Sequence, residues 1–402
     1  MDGGRRGTGT QHLYIHVPFC RLVCAYCDFA TIAGRANEIP RYVAALHREL
    51  AMRAVPGRLA TIYFGGGTPS LVAAPMIGAL IDGTVDHCGV QPDEVTLEAN
   101  PSARETPDWS GLRAAGVNRI SLGVQSLRNR DLVTLARGHT AEEARAAYRA
   151  ARAAGFENVS IDLMYGVPGQ SLDDWRANLR AAVALEPDHL SLYALQLVLE
   201  PDEWAAPPRD GALRWRRRLA ARQDDDLAAD QYRLAEELLA ESGYRHYELS
   251  SWAAPGRESR HNAAYWRRVP YLGLGAGAHS FDGESRSWNV RSLDRYIERV
   301  EAGEPPAEGR ERLDAPTRAF EAVALGMRFV SGLSRRAFSA EFGVDPIERF
   351  PAAVEAGRRA GLIELTDTSL RLSTRGRLLA SEALLPFLTP AADDADGLLA
   401  AR

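Results

Sequence analysis

The sequence predicts an α/β chain, built as an open, partial (β/α)6 barrel followed by a smaller, winged-helix-like α+β part. Two observations carry this. From residue 12 to about 200, short β-branched or alternating runs alternate with alanine- and arginine-rich helical stretches, the pattern of a parallel sheet with helical crossovers. From about Ala315 to Phe387 the pattern becomes helix, helix, helix and hairpin. Six strand–helix units in about 190 residues fall short of the eight units and roughly 250 residues of a closed barrel, so the barrel is expected to stay open.

The elements follow in order. Residues 1–11 read as a disordered tail. Candidate strands are Leu13–Val17, Thr61–Phe64, Val95–Glu98, Arg119–Val124, Asn158–Leu163 and His189–Leu195, with helices such as Ile39–Met52 and Ala141–Ala154 between them. In such folds the site lies at the carboxyl ends of the strands. The barrel is expected to run over 12–242, ending in a helix over Leu227–Ser242. Residues 243–310 form an edge and linker segment, in which Tyr244–Trp252 alternates as one strand beside the barrel edge. The winged-helix-like part covers 311–388. In it, Leu362–Leu365 and Leu370–Ser373 flank the turn Thr366-Asp367-Thr368-Ser369, and 389–402 close the chain as a second disordered tail.

Composition bounds the function. The chain of 402 residues is 46% hydrophobic and 25% charged, ordinary for a soluble globular protein. Its net charge of −5 gives no general pull toward nucleic acid or anionic membrane. All 48 basic residues are arginine, so Schiff-base chemistry, pyridoxal phosphate linkage and a Walker lysine are excluded. No apolar run is long enough to span a bilayer, and MDGGRRGTGT lacks the apolar core of a signal peptide. Four cysteines and no export signal suggest the reducing cytoplasm.

The densest chemistry lies in Leu13–Ala30, LYIHVPFCRLVCAYCDFA, where Cys20, Cys24 and Cys27 are spaced CxxxCxxC directly after a candidate strand. Three cysteines cannot all pair in disulfides, and a group of three thiolates is a metal site. Structural zinc is the rival reading. It calls for a fourth ligand at regular spacing; the chain offers no second CxxC, and its HxxxH pair, His12 and His16, lies upstream at the candidate strand and reads as part of it. A cubane iron–sulfur cluster held by three cysteines fits better, because it leaves one iron open to a substrate.

CxxxCxxC after a first strand resembles the radical S-adenosylmethionine (SAM) superfamily. The wider YIHVPFCRLVCAYCDF is similar to the branch holding the oxygen-independent coproporphyrinogen III oxidases and the heme chaperones. The resemblance implies a six-unit half-barrel and a 4Fe–4S cluster on Cys20, Cys24 and Cys27. It also implies SAM chelated to the open iron and cleaved by an electron from the cluster to give a 5′-deoxyadenosyl radical. Further positions match the family's SAM contacts in order and context: Tyr14, Gly66, Gly67 and Thr68 of the GGGTP turn, Glu98 in TLEANP, Gln125, Arg137 and Asp162. Glycines there let backbone approach a ligand, and a carboxylate such as Glu98 suits the ribose hydroxyls. Tyr26 fits the aromatic residue beside the adenine. In the oxidase, Gln125, Arg137 and Asp162 correspond to groups around a second SAM.

Two functions remain open. One is the oxidase, which decarboxylates two propionates by radical chemistry. The other is a carrier that binds haem and passes it to an acceptor protein, its cluster and SAM served by an electron donor. His261-Asn262-Ala263-Ala264-Tyr265-Trp266 reads by itself as a packed corner, yet imidazole is the common axial ligand of haem and Tyr and Trp can pack on a macrocycle. HNxxYW is also the signature that separates heme chaperones from oxidases, so His261, Tyr265 and Trp266 are the implied haem site, with His261 as ligand and His279 as a second candidate. Phe29 stands where the oxidases carry a further cysteine, and little chain precedes Cys20, both of which favour the carrier. The basic run RWRRRLAAR reads as a solvated helix, FGVDPIERF is too mixed in charge for a DNA-recognition helix, and no nucleic-acid partner is expected.

Overall fold

A computed structural model describes residues 11–53, 57, 59–89, 91–105, 107–199 and 211–388. The expected tail at 389–402, the tail at 1–11 up to residue 10, and residues 200–210 lie outside the described residues.

Six parallel strands form the centre: β1 (Gln11–Val17), β2 (Leu59–Gly66), β3 (Glu94–Ala99), β4 (Arg119–Gln125), β5 (Val159–Tyr165) and β6 (His189–Ala194). They neighbour one another in sequence order. Between them run α1 (Ile39–Arg53), α2 (Ala74–Cys88), α3 (Trp109–Ala114), α4 (Asn129–Thr134), α5 (Ala141–Ala153) and α6 (Leu172–Val183). Strand β1 shows why this layering forms. Leu13, Ile15 and Val17 are buried in the apolar layer that includes Tyr42, Leu46 and Leu50 of α1. The alternate residues His12, Tyr14 and His16 point the other way, into the lumen, in register with Thr61, Tyr63 and Gly65 of β2. Alternation therefore separates an oily outer face from a lumen rich in hydrogen-bonding side chains. Helix α5 starts where Thr140 and Glu143 make a reciprocal capping box.

After β6 come α7 (Ala212–Ala220) and α8 (Asp225–Glu241), then β7 (Arg245–Glu248), β8 (Ser251–Ala253), α9 (Arg260–Trp266) and β9 (Tyr271–Leu274). These are followed by β10 (His279–Phe281), β11 (Ser285–Asn289), α10 (Leu293–Glu301) and β12 (Ala307–Arg312). All join one twelve-stranded sheet in the order β12-β11-β10-β9-β1-β2-β3-β4-β5-β6-β8-β7. Its two edge strands, β12 and β7, do not pair with each other, so the barrel is open.

Two sequence expectations change here. Tyr244–Trp252 is a hairpin of two strands, not one. The chain turns at Leu249 and Ser250, whose backbone is claimed elsewhere: Leu249 N donates to Arg328 O and Ser250 O accepts from Leu192 N. Residues 243–310, expected as an edge and linker, supply six strands to both edges of the sheet. One of them, β9, lies parallel to β1, pairing His12 with Tyr271 and Ile15 with Leu274.

The last part has its own core, built on Val323, Met327, Phe338, Phe350, Leu370 and Phe387. It comprises α11 (Ala315–Gly326), β13 (Leu333–Ser334), α12 (Arg335–Phe342), α13 (Pro346–Arg349), α14 (Pro351–Arg359), β14 (Ile363–Leu365) and β15 (Ser369–Leu372), the three strands forming a small sheet in the order β13-β15-β14. The expected hairpin is present. Ion pairs Arg268–Glu341 (2.9 Å) and Arg377–Glu236 (2.7 Å) join this part to the barrel.

Candidate functional site

The cysteine loop leaves β1 at the carboxyl end of the sheet, as the half-barrel requires. The GGGTP turn is laced to it: Gly67 N donates to Val17 O (2.8 Å) and Thr68 N to Phe19 O (2.8 Å). Glycine is needed at 67, because a Cβ there would stand 2.6 Å from Phe19 O, and at 66, whose φ is +112° with the His16 ring against it. Thr68 Oγ1 donates to Cys20 Sγ at 3.6 Å, and Arg137 Nη1 donates to Cys24 Sγ at 3.1 Å. Both suit sulfur that carries negative charge. Burial pushes the Cys20 thiol up to about 11 and the Cys27 thiol up to about 12, so these sulfurs ionise only against a compensating cation.

None of the described cysteines is in a disulfide. Cys88 ends α2, which runs antiparallel to the strands, and so lies at the far end of the barrel. The convergence expected from spacing alone is not pre-formed: among the described residues no three His, Cys, Asp or Glu side chains close into a metal-holding group. The donor chemistry still fits a cluster, with three sulfurs, two of them facing a hydroxyl or a guanidinium, and no regular zinc ligand set.

The other candidates line the strand ends. Glu98, at the end of β3, accepts from Tyr63 Oη (2.7 Å) and from Gly66 N (3.0 Å), which brings the third strand and the glycine turn together. Burial, with a contribution from nearby Asp162, holds its carboxyl up at about 7. Asp162 accepts from Ser121 at 3.2 Å and is raised to about 6, again first by burial. Tyr14 stacks on Tyr63 with ring centroids 6.2 Å apart. Gln125 ends β4 with φ +65°, a left-handed conformation uncommon outside glycine and typical of ligand clamps. Arg137 is the knot of the site. One of its nitrogens donates to Cys24 Sγ and to Tyr26 Oη (3.2 Å), the other to Asn100 Oδ1 and Gly123 O (both 2.8 Å), so it ties the cysteine loop to the ends of β3 and β4.

The HNAAYW motif sits on α9, capped by Ser259, whose side chain accepts from Asn262 N. His261 is wholly buried, stacked on Tyr63 at 4.9 Å. Its Nδ1 bonds Thr61 Oγ1 (2.7 Å) and its Nε2 bonds Tyr265 Oη (2.8 Å). Both ring nitrogens of His261, the expected haem ligand, are thus engaged in the structure, and burial lowers the ring's pKa well below the usual value. Trp266 lies under the Arg328 guanidinium, 3.9 Å from its ring centre. Tyr265 and Tyr271 border two cavities. One, of about 280 Å³, is lined also by Tyr14, Phe29, His279 and Arg291. The other, of about 250 Å³, is lined also by Trp266, Arg268, Phe281 and Arg286.

Some contributors were missed by sequence reasoning. Tyr63, the donor to Glu98, was one of several lumen tyrosines with no local signal. Arg216 had a signal. In the helix that carries the basic run assigned to solvent, Ala212, Arg216 and Leu219 fall at i, i+4 and i+7, and all three are buried. Arg216 donates to Ala25 O (2.8 Å), Cys27 O (2.9 Å) and Val198 O (2.9 Å), clamping the cysteine loop from below.

Known proteins resemble this chain over most of its length. Residues 14–182 match the Radical SAM superfamily and residues 313–379 the HemN C-terminal domain. A protein from Mycobacterium tuberculosis named heme chaperone HemW is 38% identical over 389 residues, covering 94% of each chain. The heme chaperone HemW of Escherichia coli (strain K12) is 34% identical, covering 94% of this chain and 97% of its own. Among solved structures, coproporphyrinogen III oxidase (HemN) of Escherichia coli superposes with a TM-score of 0.80 at 23% identity, covering 95% of this chain and 91% of its own. That last likeness is one of fold.

Proposed function

We propose, from a chain that belongs to the heme chaperone HemW family within the radical SAM superfamily, that this protein binds haem and hands it to an acceptor protein. The near full-length likeness to proteins named as heme chaperones carries this reading. Cys20, Cys24 and Cys27 hold a 4Fe–4S cluster, which supplies reductive cleavage of SAM when both are bound. The residues of this chain orient the SAM. Gly66, Gly67 and Thr68 offer backbone at close range, Glu98 accepts from the ribose hydroxyls, and Tyr14 and Tyr26 pack against it. Arg137 locks the cysteine loop to β3 and β4. Gln125 and Asp162 face the same lumen and complete its wall. Haem, as cargo, lies against the HNAAYW helix, where Tyr265 and Trp266 border the cavities and His261 stands behind Tyr265.

An electron donor and the reducing cytoplasm complete the proposal. No described helix is long and apolar enough to cross a membrane. The oxidase reading draws on the shared fold, but by the resemblance Phe29, 63% exposed, stands where that enzyme would carry its further cysteine.

Protein reconstituted without oxygen is expected to contain iron and sulfide, to bind ferric haem at about one equivalent, to cleave SAM weakly and to leave coproporphyrinogen III unchanged. Robust conversion of coproporphyrinogen III overturns the carrier reading. Zinc in place of iron and sulfide overturns the cluster.

A further inference from the structure

We infer that Arg119, which no motif singles out, is a positioning residue for SAM: its unpaired guanidinium, one layer below Glu98 and Asp162 in the lumen, keeps Glu98 charged so that it accepts the ribose hydroxyls. The inference rests on the SAM-binding reading above and adds a residue to it.

Three observations carry it. First, strand alternation turns Arg119 inward. Ile120, Leu122 and Val124 of β4 lie in the apolar outer layer, so Arg119 and Ser121 face the lumen. Ser121 pairs in register with Glu98 and donates to Asp162 at 3.2 Å, while Arg119 pairs with Thr96 one layer below. Second, Arg119 is 2% exposed and its charge has no bonded partner. Its Nε is an orphaned buried donor, the Thr96 hydroxyl is unpartnered too, and among the described residues Arg119 enters no ion pair. Arg137, at the rim, is bonded instead to Cys24, Tyr26, Asn100 and Gly123. Third, two buried carboxyls stand within reach of that charge. Burial raises Glu98 to about 7 and Asp162 to about 6, and Arg119 acts on both in the opposite direction.

The charges explain one another. A lone guanidinium is costly away from water, and two carboxyls buried side by side cannot both ionise without a cation. The other groups facing Glu98 supply none. Tyr14 of β1, Tyr63 of β2, Tyr193 of β6 and Tyr265 of α9 are phenols that burial holds neutral, the Gly66 amide is uncharged, and Asp162 of β5 has the same sign. An ionised Glu98 is acceptor-only and suits two hydroxyl donors, whereas the protonated acid is itself a donor. Without Arg119 the carboxyl takes up its proton at higher pH, so SAM binding is lost earlier as pH falls.

Calorimetric SAM affinity of the full-length, cluster-loaded protein, followed from about pH 6 to about pH 9, tests this. The unaltered protein is expected to bind more tightly as pH rises through about 7. Arg119→Met should move that midpoint up by about one pH unit, weakening binding about fivefold at neutral pH and hardly at all at about pH 9. Arg119→Lys, which keeps the charge, should hold the midpoint, and Glu98→Gln should remove the step. An unshifted midpoint in Arg119→Met, an equal loss at every pH, no rescue by lysine, or a step that survives Glu98→Gln overturns the assignment. Should Arg119→Met not fold, Arg119→Gln repeats the measurement, and if neither neutral variant folds the midpoint of Arg119→Lys decides. An unaltered protein that binds no SAM at any pH removes the SAM reading instead, and this role with it.

Discussion

Two buried histidines of this barrel make nearly the same bonds at different strands of the sheet. His189 of β6 bonds Ser160 Oγ (2.8 Å) through Nδ1 and Tyr247 Oη (2.9 Å) through Nε2. His261 of α9 bonds Thr61 and Tyr265 in the same way. Burial holds both neutral. The difference lies beyond the tyrosine. Tyr247 Oη also accepts from Ser259 N (3.3 Å), and its backbone carbonyl accepts from Val330 N, so that end is closed by the chain itself. Tyr265 looks onto two cavities with arginine in their walls. Similar local chemistry thus closes against the chain in one place and stands beside cavity walls in the other. What decides is the surface on the tyrosine's far side.

The sharpest test of that contrast replaces each histidine. His189→Ala and His261→Ala should both destabilise the fold by about 3 kcal/mol, through a cavity and an orphaned hydroxyl, read by chemical denaturation. Only His261→Ala should also weaken SAM binding in calorimetry, because its ring stacks on Tyr63, the donor to Glu98. Equal SAM affinity in the two variants would erase the distinction.

Arg216 is a third fastening, and it bears on the cluster. Arg216→Met leaves three backbone carbonyls without their donor, at about 2 kcal/mol. It should speed loss of the cluster's visible absorption in air while leaving haem affinity unchanged. Tyr63→Phe removes one hydrogen bond to Glu98 and should lower SAM affinity about fivefold, a loss of about 1 kcal/mol, whereas Tyr247→Phe should not.

The smallest effect lies in the pH dependence of stability. His189 and His261 titrate well below 6.5 in the fold, so the unfolded chain takes up their protons first and stability is lost as pH falls through 6.5. Glu98 acts oppositely. Its folded value of about 7 exceeds the ordinary 4.5, so the fold binds the extra proton and stability is lost as pH rises from 4.5 toward 7. Glu98→Gln should therefore make unfolding free energy fall more steeply on acidification below 6.5, in denaturation curves taken across pH. An unchanged slope would show that Glu98 does not hold that proton.

Much of this molecule is written locally. Alternation in Leu13–Val17 fixes which side chains face the lumen, and the six central strands lie within a few residues of where β-branched runs place them. The positions at their carboxyl ends follow from strand direction alone, so Cys20, Gly66, Glu98 and Gln125 fall on one rim. Pairing partners were not legible. A four-residue strand such as Tyr271–Leu274 carries no sign that it lies parallel to β1, more than 250 residues earlier in the chain. Nor does Tyr244–Trp252 show that it folds back on itself, since the turn is held by Arg328 and Leu192.

By itself, then, the chain determined the half-barrel, the three-sulfur loop and the glycine turn beside it, because those depend on periodicity, spacing and backbone freedom within a few residues. Only the tertiary structure decided that Arg137 and Arg216 close on the cysteine loop, and that His261 spends both nitrogens on Thr61 and Tyr265 while Tyr265 meets the cavities. Such choices rest on which distant groups reach a buried atom first, and no local pattern records that.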